Sequence, residues 1–150
     1  MASRRDQIRM TDDEVVAFLA EHRVVTVATI GPSGRPHLMP LWYVPDGTTL
    51  TGWTYAKSQK VRNLERDARA TLQVEDGTEY AELRGVMMEC DVEVDRNAKP
   101  YGLEVFRRYA GAIEQEIEPL VEAQAAKRVG LRFTPTRIVS WDHSKLGGAY

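Results

Sequence analysis

Turns rich in glycine and proline divide residues 24–55 into short apolar runs, and this pattern constrains the fold most strongly. Val24 to Ile30 reads VVTVATI and is followed by the turn GPSGRP at Gly31 to Pro36. His37 to Val44 predicts a second strand, Pro45 to Gly47 a hairpin turn, and Thr48 to Tyr55 a third strand. Short runs of β-branched and aromatic residues between such turns favour consecutive antiparallel strands.

The rest of the chain adds strand-like runs and a helical region. The further predicted strands are Arg69 to Glu75, Tyr80 to Val94, Val129 to Phe133 and Arg137 to Trp141. Apolar residues at helical spacing predict helix from about Ala98 to Lys127, where Pro119 is expected to begin or interrupt a helix. The tail from Asp142 to Tyr150 has no regular pattern.

Two shorter helices are predicted beside the early strands. Thr11 and Glu14 form a capping box, which predicts a helix from about Thr11 to His22. Ser58 is the expected N-cap of a second helix. Its inner face would carry Val61, Leu64 and Ala68. Six or seven short antiparallel strands with flanking helices predict an α+β fold, a small β-barrel that forms a single domain over residues 1–150.

Composition and charge exclude several classes of protein. A net charge of −2 gives no sign of a nucleic-acid partner, and no apolar segment is long enough to span a bilayer or serve as a signal peptide. Cys90 is the single cysteine, so neither an intrachain disulfide nor a cysteine-rich zinc site can form. We therefore expect a cytoplasmic protein that binds neither nucleic acid nor membrane.

The sequence offers no catalytic or metal-binding motif. His22, His37 and His143 lie far apart without HxH or HxxxH spacing, so no metal site is predicted. There is no nucleophile elbow, no P-loop and no dinucleotide-binding glycine motif. We therefore assign no catalytic side chain.

Cations crowd the start of the helix that Ser58 is expected to cap. Lys57, Lys60 and Arg62 lie in or beside its first two turns, although the positive end of the helix dipole disfavours lysine there. One explanation is a bound anion, because the Ser58 hydroxyl, the free amides and the two lysines would converge on a phosphate. The alternative, which spacing alone favours, is a solvated basic face paired with acidic residues later in the helix.

Two further features have both a functional and a structural explanation. Pro40 cannot donate to a sheet, which predicts an edge or irregular strand. The exposed backbone beside Trp42 and Tyr43 would then hydrogen-bond a flat heterocycle; ordinary core or dimer-interface aromatics are the alternative. The tail is either a frayed terminus or a segment that crosses onto a partner chain and closes a site. Its groups able to bind a ligand are Trp141, His143 and Lys145.

Taken in order, these segments resemble the pyridoxamine 5′-phosphate oxidase-like superfamily of split β-barrel flavoproteins over nearly the whole chain. VVTVATIGPSGRPHLMPLWYV is similar to the family's first hairpin. KSQKVRNLERDARATLQVE is similar to its K-x-R-N-L-x-R-D-P-R-A segment, with Ala68 in place of proline. KVRNL and the ending SWDHSKLGG look most like the flavin/deazaflavin oxidoreductase B group, which uses coenzyme F420.

The resemblance implies a homodimer with cofactor sites at the subunit interface. It implies a reductase that passes a hydride from reduced F420 to an electron-poor double bond of a small molecule. The backbone expected to face the ring system is that of Met39, Pro40, Leu41 and Trp42. The implied phosphate ligands are Ser58 and Lys60, with Lys57 and Gln59 nearby, and Arg62 and Asn63 complete the set on this helix. The residues expected from the partner chain are Tyr80, Trp141, His143 and Lys145.

Two other functions fit the same resemblance. An FMN-dependent oxidase or reductase would use the same phosphate site, whereas the acidic oligoglutamyl tail of F420 would need further cations. Those available are Arg62, Lys145 and Arg35. The other possibility is a non-catalytic protein that stores a flavin, deazaflavin or haem. Haem would need an axial ligand such as His37 or His143.

Overall fold

The computed structural model describes residues 1–111 and 114–148, in which seven strands form one antiparallel sheet. The strands are β1 Val24–Ile30, β2 Pro36–Trp42, β3 Val44–Asp46, β4 Thr49–Tyr55, β5 Arg69–Asp76, β6 Arg84–Asp95 and β7 Arg128–Asp142. The helices are α1 Arg4–Gln7, α2 Asp12–Glu21, α3 Gln59–Arg66, α4 Lys99–Tyr109 and α5 Glu114–Ala125, with 3₁₀ helices at Tyr80–Glu82 and His143–Leu146. The strand order is β2-β1-β5-β6-β7-β4-β3. The sheet forms a half-barrel with flanking helices, which confirms the predicted α+β split β-barrel.

The larger hydrophobic core lies against one face of the sheet. Alternate residues of the strands point into it, as Val25 and Val27 do from β1 and Leu72 and Val74 from β5. Helices α2 and α3 cover it. Their buried residues in this core are Val15, Phe18, Leu19, Val61 and Leu64. The capping box of Thr11 with Glu14 at the start of α2 is confirmed, so the sequence pattern that began this helix also sets which face it buries.

A second, smaller core joins α4 and α5 to the sheet. Trp53 of β4 packs there with Tyr101 and Val105 of α4 and Val121 of α5. The helix comes very close to the strand, because a Cβ added to Gly102 would lie 2.4 Å from the ring of Trp53. None of the described helices is long and apolar enough to cross a membrane.

The predicted strand from Tyr80 to Val94 begins too early. Strand β6 starts at Arg84, and Tyr80 lies in a 3₁₀ helix. Gly77, with φ of +100°, turns the chain so tightly that a Cβ there would lie 2.4 Å from the carbonyl oxygen of Glu82. A residue with φ in this range is nearly always glycine, and the turn it permits delays the start of the strand.

The last two predicted strands form a single strand in the structure. Strand β7 is continuous, and the break expected between Phe133 and Arg137 is a β-bulge at which the register shifts between Glu89 and Cys90 on β6. Pro135, opposite Cys90, cannot donate to a ladder, and the hydroxyl of Thr136 donates to the carbonyl oxygen of Glu89 over 3.1 Å. A bulge tolerates such a proline, so the prediction of two separate strands was wrong.

Three other predicted boundaries also differ. Tyr43 separates β2 from β3, where one strand was predicted, because its side chain is fully buried and its N–H donates to the carbonyl oxygen of Arg23 over 3.2 Å. Pro45 and Asp46 belong to β3 rather than to the hairpin turn. Helix α3 ends before Ala68, which is exposed instead of lying on the inner face.

The predicted helical region is two helices, and residues 112–113 between them lie outside the described part of the chain. Pro119 lies inside α5, so the prediction that it begins or interrupts a helix was wrong. Burial of Ile117 and Val121 on either side of Pro119 offsets the lost backbone hydrogen bond. Helix α1 was not predicted, and the tail contains a 3₁₀ helix before residues 149–150, which also lie outside the described residues.

Candidate cofactor-binding site

The start of α3 has the geometry that the sequence predicted. Ser58 is extended (φ −66°, ψ 154°), and its hydroxyl oxygen accepts the N–H of Val61 at 3.4 Å. Its own N–H donates to the carbonyl oxygen of Tyr55, 3.1 Å away, so a tight turn joins β4 to the helix. The first N–H groups of a helix have no acceptor within it, which leaves donors directed away from the start of α3.

A cleft of about 680 Å³ opens beside this turn. Its lining residues are Tyr55, Ala56, Lys57, Ser58, Ala126 and Lys127. The N–H of Ala56 donates to the carbonyl oxygen of Lys127 over 2.9 Å, which brings the two lysines to neighbouring segments. Among the described residues, neither Lys57 nor Lys127 forms an ion pair, and the cleft lining contains no carboxylate. The cleft, which we call the cationic cleft, therefore suits an anion.

Lys60 points away from solvent, although the sequence predicted it as a phosphate ligand. Only 6% of it is exposed, and its ammonium donates to the hydroxyl oxygen of Thr54 over 3.1 Å. Burial lowers the pKa of this ammonium. Lys60 therefore lies on the buried side of α3 and is not among the residues that line the cationic cleft.

The other predicted residues of α3 divide between core and surface. Asn63 is fully buried and donates from Nδ2 to the hydroxyl oxygen of Thr29 over 3.0 Å. Gln59 donates from Nε2 to Oδ1 of Asn63 over 2.8 Å, whereas Arg62 is exposed. Asn63 thus ties α3 to β1.

Strand β2 carries the four residues expected to face a ring system. It lies at one end of the strand order, and Pro40 pairs with Thr26 of β1, which confirms the predicted edge strand. Met39 is 45% exposed and Trp42 54%, while Leu41 is half-buried. This edge presents backbone groups and apolar side chains together.

An aromatic cavity of about 320 Å³ lies between β4 and the helices α4 and α5. It is lined by Trp42, Trp53, Val105, Phe106, Tyr109, Ala110, Gln124 and Arg128. The guanidinium of Arg128 lies 4.7 Å from the ring centroid of Trp53 and 4.3 Å from that of Tyr55. Because Tyr55 lines the cationic cleft, Arg128 connects the two spaces.

The sequence analysis missed three residues of this region: Tyr55, Lys127 and Arg128. The Lys-Arg pair after the helical region was a visible signal. Its significance depended on the pairing of Tyr55 with Arg128 between β4 and β7, which the sequence alone does not reveal.

The predicted partner-chain residues are held on their own chain. A ring nitrogen of His143 lies 2.9 Å from the carbonyl oxygen of Tyr80, and the two rings lie 4.7 Å apart. Lys145 pairs with Glu14 at 2.7 Å. The ring of Trp141 covers Gly85, where an added Cβ would lie 2.4 Å from it. Trp141, His143 and Lys145 therefore contact other residues of their own chain.

The predicted residues at the start of α3 and those expected from a partner chain lie near opposite ends of β7. Tyr55 pairs with Arg128 where the strand begins, whereas Trp141 is near its end. At ~3.3 Å per residue, the strand between them spans about 40 Å. Along the chain, the two groups are therefore separated by nearly the whole length of β7.

Metal binding finds no support in the described residues, where no group of three or more His, Cys, Asp or Glu side chains could hold an ion. His22 is used structurally, with its ring nitrogens 2.7 Å from the carbonyl oxygen of Phe18 and 2.6 Å from Oδ2 of Asp76. Nδ1 of His37 is buried and has no hydrogen-bond partner among the described residues.

Comparisons with known proteins agree with the fold. A model of the pyridoxamine 5′-phosphate oxidase family matches residues 11–142. A crystal structure of a conserved hypothetical protein from Mycobacterium tuberculosis is 41% identical, with a TM-score of 0.89, over 99% of this chain and 95% of that one. An F420 reductase is 26% identical, with a TM-score of 0.63, over 77% and 88%. An FAD-binding protein from Mesorhizobium loti shares the fold at 15% identity, with a TM-score of 0.61, over 87% and 92%. None of the curated proteins compared with the chain matches it.

Proposed function

Because the chain belongs to the pyridoxamine 5′-phosphate oxidase family, we propose that it is an F420-dependent reductase of electron-poor double bonds in small molecules. The F420 reductase at 26% identity supports the choice of cofactor, together with the KVRNL and SWDHSKLGG segments. A homodimer in the cytoplasm is part of the same proposal.

The observation that carries this proposal is the cationic cleft. Lys57 and Lys127 line it without an ion pair in the described part of the chain, beside the N-terminus of α3. Two unpaired cations and free N–H donors complement the charge of a phosphate group. The donor set therefore fits the phosphate of F420, and Lys127 adds a cation for its acidic tail.

The chain's own part is binding and orientation. Lys57 and Lys127 would neutralise the phosphate, while the exposed edge of β2 offers backbone groups to a flat ring. The exposed ring of Trp42 would shield one side of that position from water. When bound, reduced F420 would supply a hydride to the acceptor, and we assign no side chain as the donor of the accompanying proton.

The distribution of the predicted residues supports the homodimer. The cationic cleft adjoins one end of β7, and the pair of Tyr80 with His143 lies near the other. A site built from both groups therefore needs a second copy of the chain, whose Tyr80 and tail would lie across the cleft of the first. Sedimentation of the purified protein tests this directly, and a monomer would contradict it.

Titration of the purified protein with F420, and separately with FMN, tests the proposed function through the fluorescence of its tryptophans. We expect F420 to bind more tightly than FMN. Lys57→Ala should weaken F420 binding by about 1.5–3 kcal/mol, the contribution of a hydrogen bond to a charged group. Lys99→Ala is the matched control, because Lys99 pairs with Glu118 at 2.8 Å outside the cleft.

Activity is then measured as oxidation of reduced F420 in the presence of enones or quinones. Preference for FMN would overturn the choice of cofactor and move the protein to the flavin-dependent members of the family. Binding of neither cofactor would show that the cationic cleft is a solvated basic surface.

A further inference from the structure

The walls of the aromatic cavity beside the cationic cleft are packed against one another. The rings of Trp42 and Tyr109 lie 4.8 Å apart, and those of Trp53 and Phe106 lie 6.3 Å apart at 82°. The hydroxyl of Tyr109 donates to the carbonyl oxygen of Tyr43 at the corner between β2 and β3. Contacts of this kind fix side chains before a ligand arrives, which lowers the entropic cost of binding.

Arg128 is the cation of this cavity. Its guanidinium lies over the rings of Trp53 and Tyr55, and its Nε is buried without a hydrogen-bond partner among the described residues. No carboxylate in the described ranges pairs with it, and the lining of the cavity contains no acidic residue. A stacked guanidinium is already oriented, and its planar fork matches a carboxylate.

We propose that this cavity binds the acceptor substrate, and that the acceptor is a planar compound of one or two rings that carries a carboxylate. The inference rests on the proposed reductase function and specifies its substrate class. The aromatic walls select a flat ring system, and Arg128 receives the carboxylate. A volume of about 320 Å³ lies near the lower end of small-molecule sites, which suits a compound of one or two rings.

The position of the cavity suits an acceptor rather than the cofactor. The cationic cleft of about 680 Å³, with its lysines, is the larger and more basic of the two spaces. Trp42 belongs both to the edge of β2 and to the cavity wall, so a ligand in the cavity lies beside a ring bound at that edge. The acceptor and the cofactor would then bind next to each other without overlapping.

Isothermal titration calorimetry with 2-naphthoate and its neutral isostere 2-naphthamide tests the inference, with and without saturating F420. Wild-type protein should bind 2-naphthoate more tightly than 2-naphthamide, and F420 should leave its Kd unchanged or lower it. Arg128→Gln should raise the Kd of 2-naphthoate at least tenfold and leave that of 2-naphthamide unchanged. Ala110→Phe, at an exposed residue that lines the cavity, should raise the Kd of 2-naphthoate and that of 2-naphthamide at least tenfold.

Lys127→Gln is the matched control, since it removes one cation from the neighbouring cleft. It should weaken F420 binding and leave 2-naphthoate binding unchanged. The inference is overturned by 2-naphthoate affinity that neither Arg128→Gln nor Ala110→Phe changes, or by competition between 2-naphthoate and F420. If F420 fails to bind while 2-naphthoate binds in the expected Arg128-dependent way, the proposed function fails and the carboxylate site stands.

Discussion

The side-chain ammonium of Lys60 lies 3.1 Å from the hydroxyl oxygen of Thr54 and pairs with no carboxylate in the described part of the chain. Burial of a charge without a counter-charge costs free energy, and it lowers the pKa of this lysine. Lys60→Met is therefore expected to raise the free energy of unfolding of the ligand-free protein by about 1 kcal/mol at pH 7. Urea denaturation, monitored by tryptophan fluorescence, measures this change in the free energy of unfolding.

The gain from Lys60→Met should shrink at alkaline pH. The unfolded lysine holds its proton up to the ordinary pKa of 10.5, whereas the folded one releases it at lower pH. Wild-type stability therefore rises relative to the variant as the pH passes through the folded pKa towards 10.5. Lys57→Met, at an exposed lysine, should change stability by less than about 0.5 kcal/mol. Destabilisation by Lys60→Met would show that the ammonium contributes net stability.

The same lysine was predicted from the sequence to bind the cofactor phosphate. The resemblance predicts that Lys60→Ala weakens F420 binding by about 1.5–3 kcal/mol, whereas burial of the ammonium against Thr54, outside the lining of the cationic cleft, predicts no change. The titration that compares F420 with FMN measures the effect, and Thr54→Val is the control that replaces the hydroxyl contacted by Lys60 with a methyl group. An unchanged affinity for F420 would show that Lys60 has only a structural role.

Local signals in the sequence specified local structure well. The bounds of β1 were predicted as observed, and the capping roles of Thr11 and Ser58 were confirmed. A cap depends on residues within one turn of the helix, so its signal lies within a few positions. The edge position of β2 followed similarly from Pro40, which cannot donate to a ladder.

Features that depend on register could not be predicted in this way. The bulge opposite Glu89 makes β7 one strand, and only its pairing with β6 distinguishes a bulge from a break. The contact of Arg128 with Tyr55 likewise depends on how β4 pairs with β7. The buried position of Lys60 depends on how α3 packs against the sheet, since spacing alone cannot show whether a lysine faces in or out.

An ionic cluster at the end of α2 should make stability depend on acidic pH. Asp76 accepts hydrogen bonds from Arg84 over 2.9 and 2.8 Å and lies 2.6 Å from Nε2 of His22. Burial alone would raise the pKa of Asp76, but the hydrogen bonds from Arg84 and His22 outweigh it and hold the pKa below 3.8. The stabilisation is therefore complete above pH 3.8 and is lost as the pH falls through the lower folded value.

Asp76→Asn is expected to lower the free energy of unfolding by about 1.5–3 kcal/mol at pH 7. The difference from wild type should narrow in acid, where the wild-type carboxylate is protonated as well. Urea denaturation at a series of pH values measures both effects, with Glu75→Gln at an exposed neighbour as the control. A constant difference down to strongly acidic pH would contradict the assignment of the effect to this carboxylate.

Gly102 sets the distance between α4 and β4. At an exposed helix position, replacing glycine with alanine would stabilise by roughly 0.5–1 kcal/mol. Here the added Cβ would lie 2.4 Å from the ring of Trp53, so Gly102→Ala is expected to destabilise by about 1–3 kcal/mol. Glu104→Ala, on the exposed face of the same helix, is the control for thermal or urea denaturation. A more stable Gly102→Ala variant would mean that the tryptophan ring moves freely.

The thiol of Cys90 should not react with alkylating reagents while the barrel is folded. Cys90 is 3% exposed, and burial, with a smaller contribution from Asp91, raises the pKa of its thiol to about 12. Because the thiolate is the reactive form, iodoacetamide at pH 8 should not label the native protein but should label one thiol in urea. Ser33→Cys, in the exposed turn between β1 and β2, supplies a thiol that should react in the folded state. Rapid labelling of native Cys90 would contradict this, and would mean that the reagent reaches the thiol through the cavity that Cys90 lines or by local opening at the bulge.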